Sequence, residues 1–419
     1  MKFLSKYSFF LASKKYGILS VTFSLIATIL GASSVIGLIE KSADTGLPAL
    51  WWLFSGSIGL LVLNAIISKI DLENYYSISE FFGNIYGGNY RRLSALLIVV
   101  AWTGIIAAQY AAMGKTLQII FNVDYSTGAV ISALIILFYT SLKGQSGVVF
   151  TDKIQTFIIL AGILILFFNI DFDLMKKNSG ISEYSDVFAF PVNSKFDWLA
   201  LLNMLFAVSI TYIIGPDIYS RLLTAKNKNV SKKSVLISSL MIFIIAIALV
   251  LIGINLRFIN NSGSDFLFGF FLNQNMLIKI LFVIVVFSII ASSADTCIMT
   301  SSTLITNDIL RFKDQSKCVL FARISMIAVS SVSAAISIAS PFIIENILWA
   351  YKIFSLSFFT PFICVIILKL KLEETKLLIL NFFIIVLFAS LNFYNQSLAF
   401  LVSSLIYFFV YAIWSKFSK

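Results

Sequence analysis

The chain has 419 residues, of which 59% are hydrophobic, 15% aromatic and only 12% charged, and its mean hydropathy is +0.96. This composition excludes a soluble globular protein of that length and predicts a protein embedded in a lipid bilayer. The net charge of +11 does not call for a nucleic-acid partner, because the basic loops lack the interleaved aromatic residues that stack on bases.

No extramembrane domain is predicted, because the longest polar stretches, 171–197 and 222–233, are too short to bury a core of their own. The three cysteines have no paired spacing and are interpreted as small packing residues. Histidine is absent, which removes the usual proton relay and transition-metal ligand. Residues 1–16 lack the features of a cleavable signal peptide. All chemistry is therefore expected among the membrane helices.

Twelve apolar segments are each about as long as the roughly 20 residues needed to cross the hydrocarbon core. They are predicted at residues 18–40, 47–68, 93–121, 126–142, 148–170, 197–221, 232–256, 276–306, 318–340, 344–368, 376–392 and 397–415. With the N-terminus inside, 23 of the 31 Lys and Arg residues fall on the cytoplasmic side. The sequence therefore predicts a multi-pass protein of the plasma membrane, the inner membrane in a bacterium, with both termini in the cytoplasm.

The first and the sixth segments are interrupted. Gly31-Ala32-Ser33-Ser34 lies in the middle of the first, and Gly215-Pro216-Asp217 lies near the cytoplasmic end of the sixth. Breaks at corresponding positions of two halves are typical of inverted-repeat transporters, in which unwound backbone contacts the solute and the ion. The alternative is that Gly and Pro are simply more frequent in membrane helices and that the positions match by chance.

The eighth segment changes from apolar to polar without leaving the helix pattern. The apolar run Leu277–Ile290 is followed directly by Ser292, Ser293, Asp295 and Thr296. An aspartate at the centre of a membrane helix costs about 2.5–3.5 kcal/mol on insertion scales, so these side chains are expected to line a polar cavity or bind a cation. This pattern favours transport.

Four stretches of the chain resemble the sodium/solute symporter family, which includes proline, sugar and sialic acid carriers. Residues 7–15 with 24–27 are similar to the entry into the first core helix, and 144–155 to the entry into core helix 5. Residues 219–226 are similar to the end of core helix 6, and 292–308 to the end of core helix 8. The resemblance is to a short form that lacks the extra N-terminal helix common in the family.

The resemblance implies an all-α polytopic membrane protein with a five-plus-five inverted-repeat core of the leucine-transporter type and about twelve transmembrane helices. The transporter core would occupy residues 1–375, with inverted repeats at about 18–170 and 197–368. Residues 376–419 would form two additional C-terminal transmembrane helices.

The resemblance also implies a sodium site between core helices 1 and 8. Its ligands would be the backbone carbonyls of Ala27, Leu30 and Ile289 and the hydroxyls of Ser292 and Ser293. Na⁺ is a hard cation that prefers oxygen ligands, and these groups supply them without burying a further charge. The alternative is that the two serines only allow close helix packing.

A second cation site, found in some members, would correspond here to Asp152, Asp295 and Thr296. Asp295 departs from those members, which have a hydroxyl residue there. Two close carboxylates hold a cation between them or share a proton. The alternative is that Asp152 lies at the cytoplasmic mouth and pairs with Lys153 or Arg221.

The solute is expected to be an amino acid or a small carboxylate rather than a sugar. Positions that are polar in the sugar carriers are too apolar here for a ligand that needs many hydrogen bonds. Residues 215–218 have some likeness to the "Q-P-H-I" of proline carriers. The residues expected to contact the solute are Ser33, Ser34, Gly215, Asp217 and Lys352. Lys352 either pairs with a solute carboxylate or extends toward the lipid headgroups.

The sequence thus predicts a secondary active transporter that couples Na⁺ entry to uptake of a small organic solute by alternating access. Its expected partners are Na⁺, the solute and the lipid bilayer, with no cofactor besides the coupling ion. One alternative keeps the fold but uses protons carried by Asp152 and Asp295. Another is a transporter-like membrane sensor. An enzyme is disfavoured, because the chain has no nucleophile–base pair and no metal-ligand spacing.

Overall fold

A computed structural model describes residues 6–70, 75–179, 182–259, 266–312, 314–340 and 343–416. The fold is built from helices, as expected in hydrocarbon, where a spanning segment has to satisfy its own backbone hydrogen bonds. The α-helices are α1 Lys6–Leu11, α2 Ile18–Ile29, α3 Leu38–Thr45, α4 Trp51–Ile66, α5 Ile78–Tyr86, α6 Gly88–Phe121, α7 Tyr125–Lys143, α8 Gln145–Phe168, α9 Phe172–Ser179, α10 Trp198–Ile214, α11 Pro216–Leu222, α12 Lys228–Ile259, α13 Phe266–Leu272, α14 Met276–Leu304, α15 Gln315–Ala339, α16 Ile343–Ile366, α17 Glu374–Tyr394 and α18 Gln396–Lys416.

The predicted transmembrane segments are confirmed as helical. Within the described ranges, ten helices are long and apolar enough to cross a membrane, and the bent pair α2–α3 makes an eleventh. The helix α16 covers the tenth predicted segment. Several helices are longer than predicted; α12, for example, has 32 residues and begins at Lys228. The prediction was too short there because hydropathy marks only the apolar part, whereas a helix continues into the polar boundary.

The break in the first segment is confirmed. Helix α2 ends at Ile29, and Leu30 leaves the helical conformation with φ −82° and ψ 61°. A π-helical turn, Ser33–Gly37, then leads into α3. The two halves of this segment are bent by 66° relative to each other. The regular helical hydrogen bonding of the first segment is therefore interrupted between Ile29 and Ser33.

The break in the sixth segment is also confirmed, but it is shorter than the break in the first segment. Helix α10 ends at Ile214, and α11 begins at Pro216. Gly215 between them has φ −59° and ψ 123°. Proline has no N–H to donate and disfavours helical geometry in the residue before it, which explains an interruption at this position. The two pieces remain within one span, Trp198–Leu222.

The two broken segments lie side by side in the centre of the bundle. Helix α2 packs against α8, α12 and α14, and α11 contacts both α2 and α14. Helix α10 packs on α4, and α14 packs on α6. The C-terminal helices α17 and α18 pack on each other and on α16. The polar stretch of α14 is thereby placed directly against the break in the first segment.

Gly253 fixes the close packing of α12 against α3. A methyl group at this position would overlap the Ser42 hydroxyl and the Ile39 carbonyl. Overpacking of this kind costs about 1–3 kcal/mol, so Gly253→Ala is expected to lower the melting temperature of the purified protein. The matched control is Gly104→Ala in α6, where a methyl group would have no neighbour within 4 Å. Equal melting temperatures for the two variants would contradict this packing argument.

The loop between α11 and α12 tests the predicted orientation. Lys226 is exposed and begins a cluster of basic residues, which predicts a cytoplasmic location. A cysteine introduced at Lys226, next to Asn227, should therefore react with impermeant thiol reagents only from the cytoplasmic side. The native cysteines are buried and should give little background. Asp173→Cys, at an exposed position on the opposite side, should label from outside; the reverse pattern would overturn the topology.

Candidate ion and solute site

Four of the five predicted sodium ligands, all except Leu30, meet where α14 crosses the end of α2. Ser292 Oγ donates to the carbonyl of Ala27 at 2.8 Å and to that of Ile289 at 3.0 Å. Ser293 Oγ donates to the carbonyl of Thr28 at 3.0 Å. Both serines are buried, with exposures of 0% and 4%. The structure thus groups two hydroxyls and three carbonyl oxygens at the break.

Two residues of the break, Gly31 and Ala32, determine how it contacts the neighbouring helices. A Cβ at Gly31 would lie 2.6 Å from Ser293 Oγ, so only glycine allows α14 to approach this closely. The next residue, Ala32, donates its N–H to Gln109 Oε1 of α6 at 2.9 Å. Because Leu30 is not helical, its carbonyl turns out of the hydrogen-bond ladder of α2. The unwound backbone is therefore supported by a side chain from outside the broken segment.

This arrangement offers uncharged oxygen atoms within a buried helix interface. Hydroxyl and carbonyl oxygens are suitable ligands for a hard monovalent cation and poor ligands for soft metals. Among the described residues, no group of three or more Asp, Glu or Cys side chains could hold a metal ion. The site is thus chemically suited to an alkali cation.

Asp152 is buried and pairs with Arg221. The side chains of Asp152 and Arg221 are both 0% exposed, and Arg221 Nη2 lies 3.2 Å from Asp152 Oδ2. The Ser24 hydroxyl donates to the same carboxylate oxygen. Lys153 instead places its Nζ over the Tyr16 ring, 5.3 Å from its centroid. Of the two partners predicted for Asp152, the structure brings Arg221 into contact.

Asp295 has a separate set of partners. Its Oδ2 accepts a hydrogen bond from the Tyr139 hydroxyl at 2.8 Å, and its Oδ1 lies 3.3 Å from Thr296 Oγ1. Thr296 Oγ1 also accepts from Arg221 and lies 3.4 Å from Thr28 Oγ1. Asp152, Asp295 and Thr296 are thus neighbours as predicted, but a guanidinium group lies among them.

The residues predicted to contact the solute surround the break in the sixth segment. Ser33 and Ser34 are buried on the π-helical turn, and Tyr212 forms a hydrogen bond with Ser34. Asp217 Oδ1 is buried and has no hydrogen-bond partner among the described residues. Its carboxylate lies within electrostatic range of the hydroxyls of Tyr212 and Tyr351.

Lys352 is half-buried on α16, and its role as a solute contact stays a prediction. The neighbouring Tyr351 lies within electrostatic range of Asp217 and Tyr212. Successive residues of an α-helix are rotated by about 100°, so Lys352 and Tyr351 project from different sides of α16. A solute would have to extend along α16 to reach both Asp217 and Lys352.

A polar clasp closes the side of the bundle that is predicted to be cytoplasmic. Arg91 Nε donates to Asp308 Oδ1 at 2.6 Å, and its Nη2 donates to Glu80 at 2.9 Å and to the Asn307 carbonyl at 3.0 Å. Ser77 donates to Asp308 Oδ2 at 2.7 Å and caps α5. The clasp therefore ties α5 and the start of α6 to the end of α14.

Several of these residues were not singled out from the sequence. They are Ser24, Thr28, Arg91, Gln109 and Tyr139, all polar residues within or beside apolar segments. Ser24 and Thr28 are spaced by four residues, which puts them on one face of the first segment and could have been noticed. The partners Asp308 of Arg91, Ala32 of Gln109 and Asp295 of Tyr139 are more than 70 positions away, so no local pattern identifies these pairs.

The model of the sodium:solute symporter family matches residues 9–377. The chain is 30% identical to the human high affinity choline transporter 1 over 155 residues, which are 36% of this chain and 26% of that protein. It is 26% identical to a sodium/proline symporter of Staphylococcus aureus over 214 residues, which are 48% of this chain and 41% of that protein. The matched part thus spans well under half of either relative.

Two solved structures share the fold across nearly the whole chain. A Na⁺-coupled sialic acid symporter in a substrate-bound outward-open state has a TM-score of 0.84 at 16% identity, covering 99% of this chain and 93% of that chain. A nucleobase-cation-symport-1 family transporter in a closed conformation, with bromovinylhydantoin bound, has a TM-score of 0.63 at 11% identity, covering 100% and 95%. The predicted five-plus-five helical fold of the leucine-transporter type is confirmed.

Proposed function

Because the chain belongs to the sodium:solute symporter family, we propose that it is a secondary active transporter that couples Na⁺ entry to uptake of a small organic solute. The observation that carries this proposal is the contact of Ser292 and Ser293 with the carbonyls of Ala27 and Thr28 at the break of the first segment. Unwound backbone at the midplane is where this kind of transporter binds its coupling ion.

The proposed Na⁺ ligands are the hydroxyls of Ser292 and Ser293 and the carbonyls of Ala27, Leu30 and Ile289. The present contacts support this set, because Ser292 already bridges Ala27 and Ile289. The Leu30 carbonyl is turned out of its helix by the non-helical backbone. All of these groups are neutral oxygens, so a bound Na⁺ would add a charge that transport can use. Movement of α2 relative to α14 would disassemble the site, which links ion release to a conformational change.

We propose that the solute carries a positively charged nitrogen, with an amino acid favoured over a small carboxylate without an amine. Asp217 Oδ1 has no partner among the described side chains and would accept a hydrogen bond from an ammonium group. The phenol rings of Tyr212 and Tyr351 nearby suit a cation as well. Proline and choline, named for the relatives above, both carry such a nitrogen. A polyhydroxylated sugar would find too few polar partners around Ile29 and Leu53.

The experiment is uptake of a panel of radiolabelled amino acids, quaternary amines and small carboxylates into proteoliposomes that contain the purified protein. An inward Na⁺ gradient at equal pH on both sides should drive accumulation of at least one amine-bearing compound. A K⁺ gradient of the same size should not. Accumulation driven by a pH gradient without Na⁺ would favour the proton-coupled alternative. Binding of a solute without transport would favour a sensor.

The proposed location is the plasma membrane, with both chain ends in the cytoplasm. In that orientation the Arg91 clasp closes the cytoplasmic side. A cavity of about 20 Å³ lies behind the clasp, lined by residues that include Ser77, Pro216, Ser220 and Thr303. Such a small cavity holds about one water molecule and is too small for an organic solute.

A further inference from the structure

Arg221 is a fully buried cation near the end of the sixth span, Trp198–Leu222, and its contacts come from three different helices. Its Nη2 lies 3.2 Å from Asp152 Oδ2 on α8 and donates to Thr296 Oγ1 on α14. Its Nε donates to Thr28 Oγ1 on α2 at 3.0 Å. Arginine keeps its charge in proteins, and a fully buried charge persists only with a partner of opposite sign. Asp152 supplies that partner.

The oxygens that hold Arg221 are those that a second Na⁺ would need. A cation at Asp152 would take the carboxylate together with the nearby hydroxyls of Ser24, Thr28 and Thr296. Thr28 and Thr296 already accept hydrogen bonds from Arg221, and Ser24 donates to Asp152. Among the described contacts, Arg221 does not reach Asp295, which is hydrogen-bonded to Tyr139 instead. The guanidinium therefore occupies the Asp152 part of the predicted second cation site.

We propose that Arg221 is a tethered cation that takes the place of a second Na⁺ at Asp152. While the ion pair is formed, Asp152 is neutralised from within the protein, and a Na⁺ at the same carboxylate would create an unpaired buried positive charge, which is strongly unfavourable. The number of Na⁺ ions that bind per chain is thereby reduced by one. The identity of the competing ion rests on the proposed Na⁺ coupling.

The geometry also shows that Arg221 is placed to be exchanged for an ion. The contact with Asp152 is made through one nitrogen and one oxygen, while Asp152 Oδ1 and Arg221 Nη1 have no hydrogen-bond partner among the described residues. A purely structural arginine–carboxylate pair favours the two-pronged geometry that uses both nitrogens and both oxygens. Arg221 also lies on α11, which follows the break at Gly215, so it belongs to a different helical segment from Asp152 on α8.

The test is equilibrium binding of ²²Na⁺ to the purified protein in detergent, without any solute. Arg221→Gln should bind one more Na⁺ per chain than the wild type. The extra ion should disappear in the double variant Arg221→Gln with Asp152→Asn. Arg221→Lys keeps a tethered charge and should bind as many ions as the wild type. Equal ion numbers in Arg221→Gln and the wild type would overturn the proposal.

A second variant keeps the test decisive if Arg221→Gln does not fold. Asp152→Asn in the wild-type background should leave the number of bound Na⁺ ions unchanged, because Arg221 rather than Na⁺ occupies this carboxylate. Loss of one ion in that variant would show that Na⁺ binds at Asp152 and would overturn the proposal. The Na⁺ ion proposed to bind at Ser292 and Ser293 is counted separately, as the decrease in bound Na⁺ in the double variant Ser292→Ala with Ser293→Ala. A wild type that binds no Na⁺ would count against the proposed Na⁺ coupling, whereas the difference between Arg221→Gln and the wild type would still test Arg221.

Discussion

Replacement of Ser292 or Ser293 by alanine is expected to raise the Na⁺ concentration for half-maximal uptake by about tenfold to 100-fold. Each substitution removes one neutral oxygen from the proposed ion site. A contact between a polar group and a charge contributes about 1.5–3 kcal/mol, and each 1.4 kcal/mol is a factor of ten in affinity. The helix itself should persist, because neither substitution strands a buried charge. The measurement is solute uptake in proteoliposomes as a function of external Na⁺.

The matched control for this pair is Ser288→Ala, one turn earlier on α14. Ser288 is also buried, but its hydroxyl donates to the Ile284 carbonyl within its own helix and does not reach α2. Uptake by the Ser288→Ala variant should therefore depend on Na⁺ in the same way as uptake by the wild type. If Ser292→Ala and Ser293→Ala also keep the wild-type Na⁺ dependence, these two serines serve helix packing and not ion binding.

Replacement of Arg91 by glutamine is expected to open the cytoplasmic side of the protein. Asp308 is 0% exposed, and without Arg91 its carboxylate would keep only Ser77 as a side-chain hydrogen-bond donor among the contacts described. Removing one partner of a buried ion pair costs about 3–5 kcal/mol, and the lower end applies here because Arg91 is 18% exposed. A cost of about 3 kcal/mol in the closed state corresponds to a shift of about 100-fold toward the open state.

Cysteine labelling from the cytoplasmic side measures this shift. Ser220→Cys places a thiol on the wall of the small cavity behind the clasp. Its reaction with a water-soluble thiol reagent in inside-out vesicles should be about 100-fold faster in the Arg91→Gln background. The neighbouring Arg92 is exposed and takes no part in the clasp contacts, so Arg92→Gln is the control and should react at the parent rate. Equal rates for the two variants would show that the clasp does not hold the cytoplasmic side closed.

The positions of the membrane helices could be predicted from the sequence because they depend on local composition. A run of apolar residues long enough to cross a bilayer forms a helix whatever its neighbours are, since no other conformation satisfies its backbone. The breaks at Gly31 and Gly215 were predictable for the same reason, because glycine and the following proline act on their own backbone. The short helices α5 and α13 were not predicted, because their nine and seven residues are too few to cross a bilayer and so do not count as spanning segments.

The partners of the buried polar residues could not be predicted, because the helix packing decides them. The sequence shows that Asp152, Arg221, Asp295 and Thr296 are polar residues at or near membrane depth, and it leaves open whether Asp152 faces Na⁺, Lys153 or Arg221. These residues come from segments separated by 69 to 144 positions, and their distances depend on how α8, α11 and α14 pack together. In hydrocarbon an unpaired charge is too costly to persist, so each charge has to find a partner. The sequence determined that Asp152 needs a partner for its charge; only the tertiary structure placed the guanidinium of Arg221 beside it, because α11 packs against α2 and α14.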